Sequence, residues 1–175
     1  MLEDNRGYLY FGLILLMTTG ITISELCALT WGSFSSSNTY TGVTVIEIEA
    51  EAKRVPLPPT MAKLYHKVKN NAPNVQENAP FMRSFKNAAR RMRPDEFEKW
   101  LRVFLRGFNF AQQKETKNLL KHPGRVLRET FRAAITIGGC DEEEIRYLCG
   151  NAPESVFARN YCAYDDPREL AKLAA

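Results

Sequence analysis

The amino-acid sequence predicts an α+β fold that is mostly α-helical and carries one small antiparallel β-hairpin. Helix signals cover most of the chain, and a β-type pattern occurs only around residues 43–57. No internal repeat and no long linker divides the 175 residues, of which 45% are hydrophobic and 25% charged. A chain of this length and composition buries a real core, so we expect residues 1–175 to form a single domain.

Two helices are predicted at the start of the chain, over residues 8–17 and 22–29. Gly20 and the small polar residues after it suit the entry into the second helix. Residues 8–23 carry no charge, but they are too short and too rich in threonine and glycine to span a bilayer. They also lack the basic front and cleavage site of a signal peptide, so we expect a cytoplasmic protein with no membrane partner.

The middle and end of the chain predict a hairpin followed by helices. A serine-rich loop over residues 33–38 precedes a strand over 43–48 and a return strand over 54–57, which two prolines end. Proline in the first turn of several later helices fits its tolerance there. These helices are predicted at residues 60–69, 94–106, 126–137, 141–148, 153–161 and 167–173.

Cysteine and histidine usage argues against a metal site. The four cysteines form no C-x-x-C pair, and the chain has only two histidines, His66 and His122. Zinc ligation or histidine-driven proton transfer would need carboxylates and cysteines gathered from distant segments. We therefore predict no metal and no cofactor.

Positive charge is concentrated in the middle of the chain and indicates nucleic acid as a partner. Residues 1–80 hold 6 basic and 7 acidic side chains, residues 81–132 hold 14 and 5, and residues 133–175 hold 4 and 8. A central segment this basic is able to follow a phosphate backbone, although a solvated helix surface is the alternative. The candidate DNA-binding residues of this segment are Arg83, Lys86, Arg90, Arg91, Arg93 and Arg125.

Five segments, in this order and at compatible spacing, resemble the catalytic domain of tyrosine recombinases and phage integrases. They are TTGITISEL from Thr18, RVPLP from Arg54, RPDEFEKWLRVFLRGF from Arg93, RVLRETF from Arg125 and LCGNAPESVFARNY from Leu148. The resemblance covers nearly all of the chain and implies that domain's fold and double-stranded DNA as the partner. It also implies the family's reaction, in which a tyrosine attacks a DNA phosphate that arginines and other donors stabilise.

The resemblance assigns catalytic positions to three residues of this chain. Tyr161 falls at the position of the nucleophile, and Tyr164 is a second candidate three residues later. Arg128 matches the second arginine of the phosphate clamp, and Glu25 matches the acidic residue of the first motif. These matches imply a recombinase scaffold that keeps part of the catalytic set.

Other positions depart from the family pattern. Thr22 stands where the family has the first arginine, Arg125 where it has a histidine, and Asn151 where it has the histidine of the third motif. Arg125 is able to contact a phosphate as a cation, but a guanidinium does not shuttle protons near neutral pH. The hairpin turn is acidic where the family has a lysine, and Lys53 comes late, at the start of the return strand.

Three functions remain compatible with the sequence. The first is an integrase-like protein that binds DNA, has weakened or lost cleavage, and acts as an oligomer or with an active recombinase. The second is an active breaking and rejoining enzyme that uses Tyr161 and substitutes such as Arg125, Arg159 or Lys53. The third is a protein-interaction module on the same scaffold. We also expect the family's N-terminal core-binding domain to be absent from this chain.

Overall fold

A computed structural model describes residues 6–36, 44–48, 53–71, 75–87, 89–107 and 121–149 of the chain. These residues form helices around a small sheet. The helices are α1 (Arg6–Thr19), α2 (Ile23–Ala28), α3 (Pro59–Asn70), α4 (Pro94–Arg106), α5 (Pro123–Ile137) and α6 (Glu142–Leu148). The strands are β1 (Phe34–Ser36), β2 (Thr44–Ile48) and β3 (Lys53–Pro56). Among the described residues, no helix is both long and apolar enough to cross a membrane.

The sharp turn between α1 and α2 depends on Gly20. Its φ of 66° lies in the left-handed region, which glycine adopts without steric cost. A Cβ at this position would lie 2.4 Å from two ring carbons of Phe131, a residue of α5. The turn thus lets α1 end directly against α5 and brings the chain back to begin α2.

The sheet has the order β1-β2-β3 and is antiparallel throughout. The predicted pairing of β2 with β3 is confirmed, with Ile46 opposite Val55. The prediction of a loop over residues 33–38 is wrong for Phe34–Ser36, which pair with β2. Phe34 is the physical reason, because its ring is buried and stacks on Tyr65 at 4.3 Å between centroids. One buried aromatic outweighs the loop preference of the serines around it.

One hydrophobic core joins the sheet to the helices. Trp31, Tyr65 and Phe81 are fully buried at its centre, and the Trp31 ring contacts the rings of both others. The core continues through Phe97 of α4 and Leu127 of α5, so it extends from the sheet into the later helices.

The end of α6 is joined to β3 by side-chain hydrogen bonds. Lys53 Nζ donates to the Leu148 carbonyl at 2.9 Å. The Tyr147 hydroxyl donates to the Arg54 carbonyl at 2.7 Å, and the Arg54 amide donates to that hydroxyl at 3.4 Å. These bonds connect residues more than 90 positions apart in the chain.

The predicted helices agree closely with the observed ones where the structure describes them. The helix predicted at 94–106 has the observed bounds, and those predicted at 8–17 and 126–137 begin earlier, at Arg6 and Pro123. Proline occupies the first turn of α3, α4 and α5. The helices predicted over residues 153–161 and 167–173 lie outside the described residues.

Candidate phosphate-binding site

A cavity of about 390 Å³ lies where the first turns of α2 and α5 meet the end of α6. It contains three positions that the sequence singled out, Thr22, Arg125 and Arg128. The full lining is Thr22, Ile23, Ser24, Gly124, Arg125, Arg128, Glu129, Arg132 and Cys149.

Gly124 allows α2 and α5 to approach closely at this cavity. A Cβ on Gly124 would lie 2.6 Å from Cδ1 of Ile23, too close for any larger residue without a shift. Residues of the first turns of both helices line the cavity. The positive end of the α5 dipole favours an anion in such a place.

Three arginines of α5 line the cavity together. Arg125, Arg128 and Arg132 are spaced by three and four residues, which places them on one face of the helix. Arg132 also lies 3.6 Å from a carboxylate oxygen of Glu142. Glu129 is the one acidic side chain among the lining residues. The cavity thus presents more positive than negative charge to a ligand.

Glu25 lies next to this cavity and is held in its charged form. Its carboxylate accepts a hydrogen bond from the Thr22 amide, and its own amide donates to the Thr22 hydroxyl at 3.1 Å. Burial alone raises the pKa of Glu25, but the Thr22 hydrogen bonds and the charges of Lys53 and Arg128 lower it below its ordinary value. Glu25 therefore closes the first turn of α2 and supplies a fixed negative charge near Arg128.

Lys53 is buried beside Glu25. Its side chain is 5% exposed, and Nζ lies 4.0 Å from a Glu25 carboxylate oxygen. The same Nζ donates to the carbonyl of Leu148, the residue before Cys149. Lys53 does not line the cavity, and it ties β3 to the α6 end that does.

Thr22 brings a hydroxyl to the cavity where the family resemblance implies a guanidinium. The hydroxyl oxygen accepts from the Glu25 amide, which leaves its hydrogen for an acceptor in the cavity. A hydroxyl donates one neutral hydrogen bond, whereas a guanidinium donates several charged ones.

The remaining predicted site residues are not at the cavity or are not described. Tyr161 and Asn151, and with them Tyr164 and Arg159, lie outside the described residues. The basic residues of the segment before α4 do not line the cavity. These are Arg83, Lys86, Arg90, Arg91 and Arg93.

Sequence reasoning did not assign Ser24, Arg132 or Cys149 to the site, although all three line the cavity. Arg132 had a usable signal, because it falls seven residues after Arg125 in a predicted helix and hence on the same face. Cys149 had none, since its place beside the first turn of α2 depends on the tertiary fold.

The fold is that of the catalytic domain of tyrosine recombinases, as the sequence resemblance predicted. The chain is similar to the crystal structure of XerA recombinase, with 18% identity and a TM-score of 0.61 over 86% of this chain and 50% of that one. It is also similar to the Tn1549 transposon integrase in complex with transposon right end DNA, with 19% identity and a TM-score of 0.59. This second match covers 97% of this chain and 60% of the integrase.

The chain thus spans between half and two thirds of the length of these two recombinases. Its sequence matches no family model and no curated protein.

Proposed function

We propose that this chain is an integrase-like protein that binds double-stranded DNA in the cytoplasm and has weakened or lost strand cleavage. The observation that carries the proposal is the convergence of three arginines on one cavity beside the first turn of α5. The similarity in fold to an integrase bound to DNA supports DNA as the ligand.

In this proposal a backbone phosphate enters the cavity and is bound by Arg128, with Arg125 and Arg132 on either side. Charge-assisted hydrogen bonds from guanidinium groups suit the planar pairs of oxygens on a phosphate. The negative charge of Glu25 attracts Arg128, and its hydrogen bonds fix the turn that carries Thr22. The hydroxyls of Thr22 and Ser24 line the same cavity and are available to the remaining oxygens.

The same lining explains why we propose weakened cleavage. Strand cleavage by Tyr161 would need a group that protonates the leaving oxygen, and a guanidinium does not release its proton near neutral pH. Loss of one preorganised donor to a developing oxyanion costs about 100- to 1000-fold in rate. Thr22 in place of the family's arginine removes such a donor.

The test combines binding and adduct formation on nicked duplexes of randomised sequence. We expect salt-sensitive DNA binding that Arg128→Ala weakens by roughly tenfold or more, without a covalent adduct on a denaturing gel. The matched control is Arg54→Ala, which should leave the affinity nearly unchanged, because this exposed guanidinium lies outside the cavity and 3.7 Å from a carboxylate oxygen of Glu47. Absence of DNA binding by the unaltered chain would refute the proposal.

The same gel tests the alternative of an active recombinase. An adduct that forms with the unaltered chain and disappears in Tyr161→Phe would establish that cleavage is retained. In that event Arg125 and Arg132 become the first candidates for compensating cations, because they flank Arg128 in the cavity.

A second candidate function, a protein-interaction module, is favoured by an apolar stripe on α1. Tyr10, Ile14 and Met17 are between 39% and 46% exposed and recur at helical spacing. Such a stripe would serve pairing with another copy or with an active recombinase. Sedimentation velocity of the unaltered chain and of Ile14→Glu tests it, and an identical monomeric profile for both would exclude self-association through this face.

A further inference from the structure

Arg83 and Arg91 face each other across a short antiparallel bridge in the segment before α4. Hydrogen bonds flank the pair on both sides, from the Ser84 amide to the Arg90 carbonyl at 2.9 Å and from the Met92 amide to the Met82 carbonyl at 2.9 Å. Residues directly opposite in an antiparallel pair have Cβ atoms about 4.5–5.5 Å apart and point to the same side. The two arginine side chains therefore begin next to each other.

The bridge is anchored from two directions. Met82 and Met92 are 0% and 2% exposed, so the residues that alternate with them, Arg83 and Arg91, lie on the outer side. Glu96 of α4 accepts hydrogen bonds from the Ser84 hydroxyl at 2.8 Å and from the Phe85 amide at 2.9 Å. The protein thus holds the two arginines together by contacts that do not involve their charges.

The neighbouring Arg90 and Arg93 form ion pairs, whereas Arg83 and Arg91 form none with the residues that the structure describes. Arg90 lies 3.4 Å from a carboxylate oxygen of Glu96, and Arg93 lies 2.8 Å from one of Asp95. Within the described part of the chain, neither Arg83 nor Arg91 has a carboxylate within ion-pair distance. Like charges directly opposite in a strand pair are destabilising, and an anion between them would relieve the repulsion.

We propose that Arg83 and Arg91 bind a second DNA phosphate, separate from the one in the cavity. The site rests on the proposed function, since it names a further interaction with the same duplex. Two guanidinium groups side by side suit the oxygens of one phosphodiester. Arg91 also lies close enough to α2 for its charge to act on Cys27, and the first turn of α2 lines the cavity. In this proposal one duplex contacts both sites, which α2 connects.

The test measures DNA affinity at several salt concentrations by fluorescence anisotropy, using one labelled duplex. The slope of log K against log salt falls by about 0.9 for each phosphate that the protein no longer neutralises. We expect the double variant Arg83→Gln/Arg91→Gln to show about this decrease in slope. Its loss of affinity relative to the unaltered chain should be the same on duplexes of unrelated sequence, because a phosphate contact does not depend on the bases. The control is Lys63→Gln/Lys67→Gln, which removes the same charge from exposed positions of α3 and should keep the full slope.

Each outcome separates this site from the cavity. If the double variant keeps the slope of the unaltered chain while Arg128→Ala weakens binding, the second site is wrong and the cavity proposal stands. If the unaltered chain binds no DNA, both proposals fall. If inorganic phosphate stabilises the unaltered chain but not the double variant, and the DNA slope is unchanged, the pair binds free phosphate and the DNA assignment is wrong.

A second variant protects the test against misfolding. Arg83 is half-buried, whereas Arg91 is exposed, so Arg91→Gln alone disturbs packing least. We expect Arg91→Gln to melt at a higher temperature than the unaltered chain at low salt, because the repulsion is relieved, and to show a smaller decrease in the DNA slope than the double variant, because Arg83 remains. A lower melting temperature together with an unchanged DNA slope would give Arg91 a structural role and overturn the site.

Discussion

At the scale of single residues, Thr22 caps the first turn of α2 but brings no positive charge to the cavity. Its hydroxyl and amide form a reciprocal capping box with Glu25 at the start of α2. Side-chain caps of this kind contribute about 1 kcal/mol to stability, and arginine does not provide one. The threonine to which the proposed function attributes weaker cleavage therefore also stabilises the start of α2.

Gly20 gives a first prediction about stability. Gly20→Ala should destabilise the fold by at least about 1–3 kcal/mol, the cost of holding a non-glycine residue in the left-handed region. The clash with Phe131 adds to this cost, because the new Cβ would lie 2.4 Å from its ring. Urea denaturation measures the change. Gly139→Ala is the matched control, since Gly139 also has a positive φ of 92° but nothing within 4 Å of the added atom. Equal losses in both variants would show that the Phe131 contact is unimportant.

Glu25 gives a second prediction, on pH. Because its folded pKa lies below the ordinary value of 4.5, the carboxylate stabilises the fold above that pH, and this contribution is lost as pH falls through the folded pKa. Glu25→Gln should lower the free energy of unfolding by about 1–3 kcal/mol at neutral pH, since Lys53 then stays buried without the Glu25 charge beside it. The gap between the two proteins should close on acidification.

The measurement is urea denaturation of both proteins from neutral to acidic pH. Glu129→Gln is the control, because it removes an exposed carboxylate from the same cavity. A gap between Glu25→Gln and the unaltered chain that does not change with pH would contradict a role for the charge.

At the scale of elements, α4 fixes the segment that precedes it through one carboxylate. Glu96 accepts hydrogen bonds from Ser84 and Phe85 and lies beside Arg90. These bonds lower the pKa of Glu96 although burial raises it, so the contact persists over the neutral range. The basic segment is thus shaped by the helix that follows it.

This arrangement gives a third prediction. Glu96→Ala should increase hydrogen exchange at the Phe85 amide by roughly ten- to a hundredfold, because its acceptor is removed and a hydrogen bond to a charged group contributes about 1.5–3 kcal/mol. Glu98→Ala is the control, as Glu98 lies on the same helix but pairs with Arg102 at 2.9 Å. Unchanged exchange at Phe85 in Glu96→Ala would show that the segment keeps its shape without α4.

The elements also show what sequence alone was able to predict. The bounds of α4 and the pairing of β2 with β3 followed from local patterns, because periodicity and proline positions report on the chain within a few residues. Strand β1 did not, since Phe34 packs against Tyr65 and Phe81, which lie far along the chain. The cavity was also only partly predictable from the sequence. Arg128 was recognisable from its motif, whereas Cys149 lines the cavity only because of the tertiary fold.

At the scale of the whole molecule, one core joins sheet and helices, and this predicts cooperative unfolding. Trp31 is buried at the sheet side, and Trp100 packs on Phe97 and Phe104 within α4. Tryptophan emission and far-ultraviolet circular dichroism should therefore report the same urea midpoint. Separate midpoints would mean that the sheet and the helices unfold independently.

Tyr147→Phe extends this prediction, because it removes the hydroxyl that joins α6 to β3. The free energy of unfolding should fall by about 1 kcal/mol whether it is measured by tryptophan emission or by circular dichroism, since this is the usual contribution of a hydrogen bond. Tyr10→Phe is the control, because it removes the same group from an exposed position of α1, and it should leave the free energy of unfolding unchanged by both measurements. A shift in only one signal after Tyr147→Phe would contradict a shared core.

The contact between Tyr147 and Arg54 also limits the pairing of the sheet edge with strands of other chains. β3 is an outer strand of the described sheet, and outer strands invite pairing with strands of neighbouring chains, which leads to aggregation. The Tyr147 hydroxyl already bonds both the amide and the carbonyl of Arg54, the two groups with which an incoming strand would pair. A helix from the far end of the described chain thus closes the sheet to strand addition at that residue.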